Sequence, residues 1–230
     1  MNSGNKEWGN LSMSLEFFCE RKFALDSKVL DVGCYTGSLI YRLFQRGFSE
    51  VYGIDVDQRS VRRGQELHPE LKTRIISYDG KHLPFPDASF DVVTMFDVLE
   101  HIIDLEQFLE KQVKRVLKPG GMLVFQTPNK YTNIPWEILI HRSFTKYKSY
   151  HMSLQSYSSL KHVLHNCGFR DIVISKRDIM HPYYLQPLGR YLGIMARPIA
   201  AIINSLPPRL ATNFWGYCIK STRKNDSRLV

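Results

Sequence analysis

The sequence predicts an α/β fold built on an open, mostly parallel sheet with helices on both faces. Three observations predict it. Short apolar runs alternate with amphipathic helical stretches between residues 29 and 126, the pattern left by strand–helix–strand units. Phe90–Phe96 is nearly all apolar, as suits a strand covered on both faces. Val29–Val32 runs into a turn, Gly33-Cys34-Tyr35-Thr36-Gly37, that opens directly into a helical pattern. Glycines there let a backbone approach a ligand closely, and a helix N-terminus offers unpaired N–H groups. The turn therefore reads as a nucleotide-type ligand site.

The elements follow in order. A helical stretch around Trp8–Leu25 precedes the first strand, and Leu39, Leu43 and Phe44 recur at helical spacing after the turn. Val51–Ile54 is the second strand, Val61 and Leu67 mark a polar helix, and Arg74–Ser77 is a short third strand. After the fourth strand, Leu105, Phe108, Leu109, Val113, Val116 and Leu117 form a helical stripe that stops at Lys118-Pro119-Gly120-Gly121. Met122–Gln126 is the fifth strand. Beyond Thr127-Pro128-Asn129 the rhythm gives way to a loop rich in aromatic and basic residues, up to about His151. A helix at Leu154–Asn166, a Gly168 cap and a strand at Phe169–Ser175 follow, and Trp215–Lys220 is the last strand.

An insertion separates these last two strands. Within it Leu185, Leu188, Leu192, Met195, Ile199, Ile202, Ile203 and Leu206 recur at three- and four-residue steps, with Arg190, Arg197 and Asn204 on a narrow polar stripe. Pro198 is expected to kink or divide this helix. The expected division is an N-terminal helical segment (1–27), a core (28–177 with 214–221), a helical insertion or lid (178–213) and a basic tail (222–230).

Bulk properties narrow the function classes. Cys19, Cys34, Cys167 and Cys218 form no CxxC pair, so a disulfide framework and a cysteine zinc site are not expected. The stretch Met1–Glu7 is polar, and no apolar run is long enough to span a bilayer. A cytoplasmic location follows as the expectation. Residues 1–129 hold 16 Lys and Arg against 18 Asp and Glu, a net −2, whereas residues 130–230 hold 15 against 4, a net +11. The basic half suits an anionic partner, such as a membrane surface, a phosphate-bearing substrate or RNA, or simply a solvated face.

The glycine turn lacks the second and third glycines of a dinucleotide-binding G-x-G-x-x-G, and no Gly-Lys-Ser/Thr follows to make a P-loop. Asp31-x-Gly33-x-x-x-Gly37 after an apolar strand instead resembles the first motif of class I S-adenosylmethionine-dependent methyltransferases. Val51-Tyr52-Gly53-Ile54-Asp55-Val56-Asp57, Ser77-Tyr78-Asp79-Gly80, Leu83-Pro84-Phe85-Pro86-Asp87-Ala88-Ser89-Phe90-Asp91 and Leu117-Lys118-Pro119-Gly120-Gly121 are similar to the later motifs, in order. Asp97-Val98-Leu99-Glu100-His101-Ile102 is typical of the ubiquinone-biosynthesis-like (methyltransferase type 11) branch. The resemblance covers residues 28–127, more weakly to about 176 and again at 214–220. It implies a Rossmann-like seven-stranded sheet of order 3-2-1-4-5-7-6 with the last strand antiparallel, and S-adenosyl-L-methionine as cofactor.

The same resemblance assigns roles. Asp55 holds the ribose hydroxyls, Asp79 and Gly80 meet the adenine amino group, Val56 covers the ring, and Phe96 contacts the cofactor or is plain core. Asp31, Gly33 and Gly37 serve the methionine end, where a sulfonium and an ammonium favour acids over phosphate-type donors. Tyr35 departs from the family's usual glycine and is read as tolerated beside the cofactor. Asp57 is expected to cap the next helix, Asp91 to pair structurally and Cys34 to fill space. His101 and His151 are the candidate general bases, each against a plain structural reading; no metal is expected. His141, His162, His165 and His181 show no metal-like clustering.

The acceptor is expected to be a small or lipid-like molecule methylated at oxygen or carbon. The aromatic and basic stretch His141–Tyr150 reads as an acceptor lid or as a nucleic-acid contact. Residues 183–206 suit a lid, an oligomer face or a peripheral membrane contact. The alternatives are an RNA-modifying enzyme and a non-catalytic binding protein of the same fold.

Overall fold

The computed structural model describes residues 11–149, 151–177, 185–186, 189–190 and 192–222. Seven strands form one sheet: β1 (Val29–Val32), β2 (Val51–Asp55), β3 (Ile75–Ser77), β4 (Phe90–Phe96), β5 (Leu117–Pro128), β6 (Phe169–Ser175) and β7 (Asn213–Lys220). Their order is β3-β2-β1-β4-β5-β7-β6, with β1 to β5 parallel and β7 antiparallel to both β5 and β6. This is the Rossmann-like arrangement expected from the motifs.

The helices that flank the sheet include α1 (Leu11–Cys19), α2 (Ser38–Phe44), α3 (Gln58–Leu67), α4 (Leu105–Phe108), α5 (Lys114–Val116), α6 (Lys130–His141), α7 (Tyr157–Asn166) and α8 (Ala196–Ser205). A π-helical turn, Leu109–Val113, joins α4 to α5. The core forms two layers. On one side Leu30, Val93, Leu109, Val113 and Leu160 pack together; on the other Met13, Phe18, Val29, Leu43 and Trp215 do so. Burying each such side chain contributes about 1.5–3 kcal/mol, which fixes the strands that present the site.

Several expectations need correction. The stretch after Asn129 is a helix, α6, before it is a loop. Asn129 starts it by accepting the Tyr131 N–H at 3.1 Å, and Pro135 sits within it. β5 begins at Leu117, so the Lys118–Gly121 segment is an irregularity inside the strand, where the register against β4 shifts. A 3-10 turn, Gly193–Met195, interrupts the helical run just ahead of Pro198, so the expected division is present and Pro198 sits in the first turn of α8, where proline is tolerated. Trp8, Tyr150, His181, Leu188, 178–184 and tail residues 223–230 lie outside the described residues.

Candidate functional site

The carboxyl ends of β1 to β4 open onto a cleft of about 1630 Å³, where ligands bind in open α/β sheets. Asp31, Gly33, Tyr35, Asp55, Val56, Asp79, Gly80, Phe96 and His101 all line it. Gly37 and His151 do not line it.

Asp31 ends β1 as a nearly buried carboxylate, 5% exposed. The register sets it beside Thr94 of β4, whose hydroxyl donates to Asp31 Oδ1 at 2.6 Å. Burial pushes its pKa up to about 7 against that hydrogen bond, with Asp55 adding to the rise. An acid so placed ionises fully when a cation is set against it. Thr94 was not legible as a site residue, because only the β1–β4 register makes it one.

The turn after β1 differs from the expected cradle of free donors. Gly33 and Cys34 N–H groups both donate to the Ile54 carbonyl, at 2.8 and 3.0 Å, and Gly37 N–H donates to Cys34 O at 2.7 Å. Tyr35 N–H donates to Asp55 Oδ2 at 2.7 Å. These donors are spent inside the protein, so the turn suits no pyrophosphate. Its glycines answer backbone and packing needs. Gly33 has φ 77, and a Cβ on it would stand 2.4 Å from Val98 Cγ2; on Gly37, with φ 74, it would stand 2.6 Å from Ile75 Cδ1. Cys34 packs on Gly53, as a space-filling residue would. Gly64 of α3 has the same logic: a Cβ would lie 2.5 Å from the Thr36 carbonyl oxygen. That glycine lets α3 lean on the turn.

Asp55 is anchored at both oxygens, since Oδ1 also accepts the Asp57 N–H at 2.9 Å. A carboxylate has about four acceptor positions, so the anchored group still accepts from hydroxyls. Asp79 Oδ1 accepts the N–H groups of Lys81 and His82, at 2.8 and 2.7 Å, and Oδ2 lies 2.8 Å from His82 Nδ1. Those bonds, His82 foremost, hold its carboxyl well below the usual range. Val56 is exposed beside Gly80, and Phe96 packs on Trp215 with ring centroids 5.9 Å apart. Asp57 caps α3 through Arg59 N–H, and Asp91 pairs with Lys118 Nζ at 2.8 Å. Both act structurally.

His101 and His151 come together although fifty positions apart in the chain, their ring centroids 5.3 Å apart. Between them and the sheet lies Glu100, 2% exposed. Thr127 Oγ1 donates to Glu100 Oε2 at 2.9 Å, and Glu100 Oε1 lies 3.9 Å from His101 Nε2. Burial, reinforced by Asp97, pushes the Glu100 carboxyl up to about 8; burial and the neighbouring His101 lower the His151 imidazole. The main-chain carbonyl of Glu100 accepts the N–H groups of Met152 and Ser153, at 2.8 and 2.9 Å. Those bonds bring the His151 segment beside His101.

The donor set thus comprises a buried acid suited to a cation, an anchored acid suited to hydroxyls and no phosphate cradle. It fits a sulfonium nucleoside such as S-adenosylmethionine.

Comparison with known proteins agrees with this geometry. Residues 30–125 match the methyltransferase domain family. The chain is 29% identical to a demethylmenaquinone methyltransferase of Lactobacillus johnsonii over 189 residues, 71% of this chain and 76% of the relative. It is 37% identical to a ubiquinone biosynthesis O-methyltransferase of Idiomarina loihiensis over 107 residues, 45% of this chain and 43% of that one. Among the first curated relatives the chain spans between 40% and 76% of their length. A solved S-adenosylmethionine-dependent methyltransferase of Mesorhizobium loti shares the fold with a TM-score of 0.65 at 19% identity, covering 92% of this chain and 100% of that one. Residues 30–125 thus carry a methyltransferase domain, and the chain is similar to class I S-adenosylmethionine-dependent methyltransferases of the ubiquinone-biosynthesis-like branch, whose cofactor is S-adenosylmethionine.

Proposed function

We propose that this protein transfers a methyl group from S-adenosylmethionine to a small quinone- or hydroquinone-like acceptor, at a ring oxygen or ring carbon. The observation that carries the reading is the convergence of Asp31, Asp55 and Asp79 on one cleft. When bound, the cofactor supplies a methyl group already activated on a sulfonium. Asp31, Gly33 and Tyr35 hold the methionine end, Asp55 the ribose, and Asp79, Gly80 and Val56 the adenine, with Phe96 against the reacting region. Gly37 supports them indirectly by starting α2. Relatives named for demethylmenaquinone and ubiquinone biosynthesis support the acceptor class.

A phenolic hydroxyl needs to lose its proton before its oxygen, or the neighbouring ring carbon, attacks a methyl group. His101, on the cleft wall, takes that proton. His151 packs beside it. Positioning and exclusion of water supply the rest of the rate.

A lipid-like acceptor also suits a contact with the bilayer. Ile194 is 93%, Met195 52% and Ile202 63% exposed, with Arg190 and Arg197 exposed nearby. No described helix is long and apolar enough to cross a membrane, so the contact would be peripheral.

Titration calorimetry with S-adenosylmethionine tests the reading. The native protein should bind it, and Asp55→Ala should bind at least about tenfold more weakly, the loss expected for two charge-assisted hydrogen bonds. Absence of binding by the native protein would remove the proposal. Transfer of labelled methyl to a hydroquinone probe, and not to RNA, checks the acceptor class.

A further inference from the structure

We propose that Gln126 Nε2 and Trp215 Nε1 together hold an uncharged oxygen of the acceptor ring, the one that does not receive the methyl group. Both side chains are fully buried, and neither nitrogen has a hydrogen-bond partner among the described residues. Buried polar groups are nearly always satisfied, and an N–H left unpaired is costly. Two such donors on facing positions point to a place kept for a ligand atom.

The sheet brings the donors together. Gln126 of β5 stands directly opposite Trp215 of β7 and directly opposite Phe96 of β4, so the three side chains share one face. Opposed side chains of an antiparallel pair lie about 4.5–5.5 Å apart at Cβ. Phe96 packs on Trp215 and also lines the cleft, so both donors stand directly behind that wall. Helix α1 roofs the row: Phe17 meets the Trp215 ring edge-on at 5.4 Å, while Leu11 and Ser14 reach the cleft. The orientation of the amide is also fixed. Gln126 Oε1 accepts the Asp97 N–H at 3.1 Å, and a backbone N–H can only donate, so the spare end is the Nε2 donor.

Charge selects the ligand atom. Both donors are neutral. Arg177, whose guanidinium stands 5.9 Å from the Trp215 ring centroid, is paired with Glu16 and Glu20. Asp31 and Asp97 line the same cleft. These surroundings disfavour a carboxylate or phosphate. They suit a carbonyl or hydroxyl oxygen, which offers two lone pairs to two N–H groups. On a hydroquinone-like ring stacked at Phe96, the oxygen held here leaves the other oxygen, or the carbon beside it, to the methyl group. This assignment rests on the methyl-transfer reading above.

The test compares two probes in methyl transfer by the full chain: a naphthohydroquinone, kept reduced without air, and the naphthol that lacks its second oxygen. The native protein should prefer the hydroquinone by at least about tenfold in kcat/KM, since a site built to hydrogen-bond an oxygen rejects the analogue without it. Trp215→Phe removes one donor and keeps most of the packing; Gln126→Met removes the other at similar volume. Each should lower that preference by about tenfold, chiefly through the KM of the hydroquinone. A packing role alone slows both probes alike, so variants that keep the native preference overturn the proposal. A native preference near one, or no transfer to the hydroquinone, overturns it as well. If Gln126→Met fails to fold, having also lost the bond to Asp97, Trp215→Phe decides. Cofactor calorimetry on the same samples separates the two readings. No cofactor binding by the native protein removes the methyl-transfer reading, whereas cofactor binding with an unaltered preference in the variants removes only the donor pair.

Discussion

Asp31 places a carboxylate where burial disfavours charge, and its pH behaviour follows. Its folded pKa, about 7, lies above its ordinary 3.8. Between those values the folded chain keeps a proton that the unfolded chain has lost, so stability falls as pH rises from about 4 to about 7 and levels off above. Asp31→Asn removes that penalty; the stability difference between variant and native, from urea unfolding, should grow across the same interval. A sulfonium ligand favours the ionised acid, so native cofactor affinity should rise with pH through about 7. Buffer-dependent calorimetric enthalpies should show a released proton, and Asp31→Asn should lose it. Tyr35 is the second telling residue. Its φ of 52° is left-handed backbone, which disfavours a side chain by about 1–2 kcal/mol. Tyr35→Gly should stabilise the fold by about 1 kcal/mol in the same unfolding assay. If the ring covers the cofactor, affinity drops in this variant; equal or better affinity takes Tyr35 out of the binding set. Both residues were legible in the chain as an acid and a departure from glycine. Thr94, whose hydroxyl partly offsets the burial of Asp31, was not, since its role exists only across the β1–β4 pairing.

At the scale of elements, helical periodicity and strand runs located most of the fold, and they failed where local chemistry was mixed. α6 holds aromatic, β-branched and proline residues, so its periodicity is faint, and it is the Asn129 cap that starts it. α8 and the turn before it show the opposite case, a clear apolar pattern whose exposed side chains found no core. Replacing Ile194 and Ile202 together by glutamate should weaken flotation with vesicles containing anionic phosphatidylglycerol by at least about tenfold, given the apolar surface each residue carries. Equal flotation of variant and native protein removes the proposed bilayer contact.

On the scale of the whole molecule, the sheet turns residues scattered over more than a hundred positions into two neighbouring constellations. The acids of the cofactor side come from the ends of β1 and β2 and from the segment after β3. The cluster of Glu100, Thr127, His101 and His151 comes from the 3-10 turn after β4, from β5 and from the segment before α7. The sequence by itself determined the fold class, the strand order implied by its motifs and the family's methyl donor. It could do so because apolar periodicity and acids at strand ends are local patterns. Only the tertiary structure decided that the Gly33, Cys34, Tyr35 and Gly37 N–H groups are consumed internally, that Thr94 donates to Asp31, and that Glu100, His101 and His151 come together. Those facts depend on strand register and on main-chain bonds between distant segments, which no local spacing encodes.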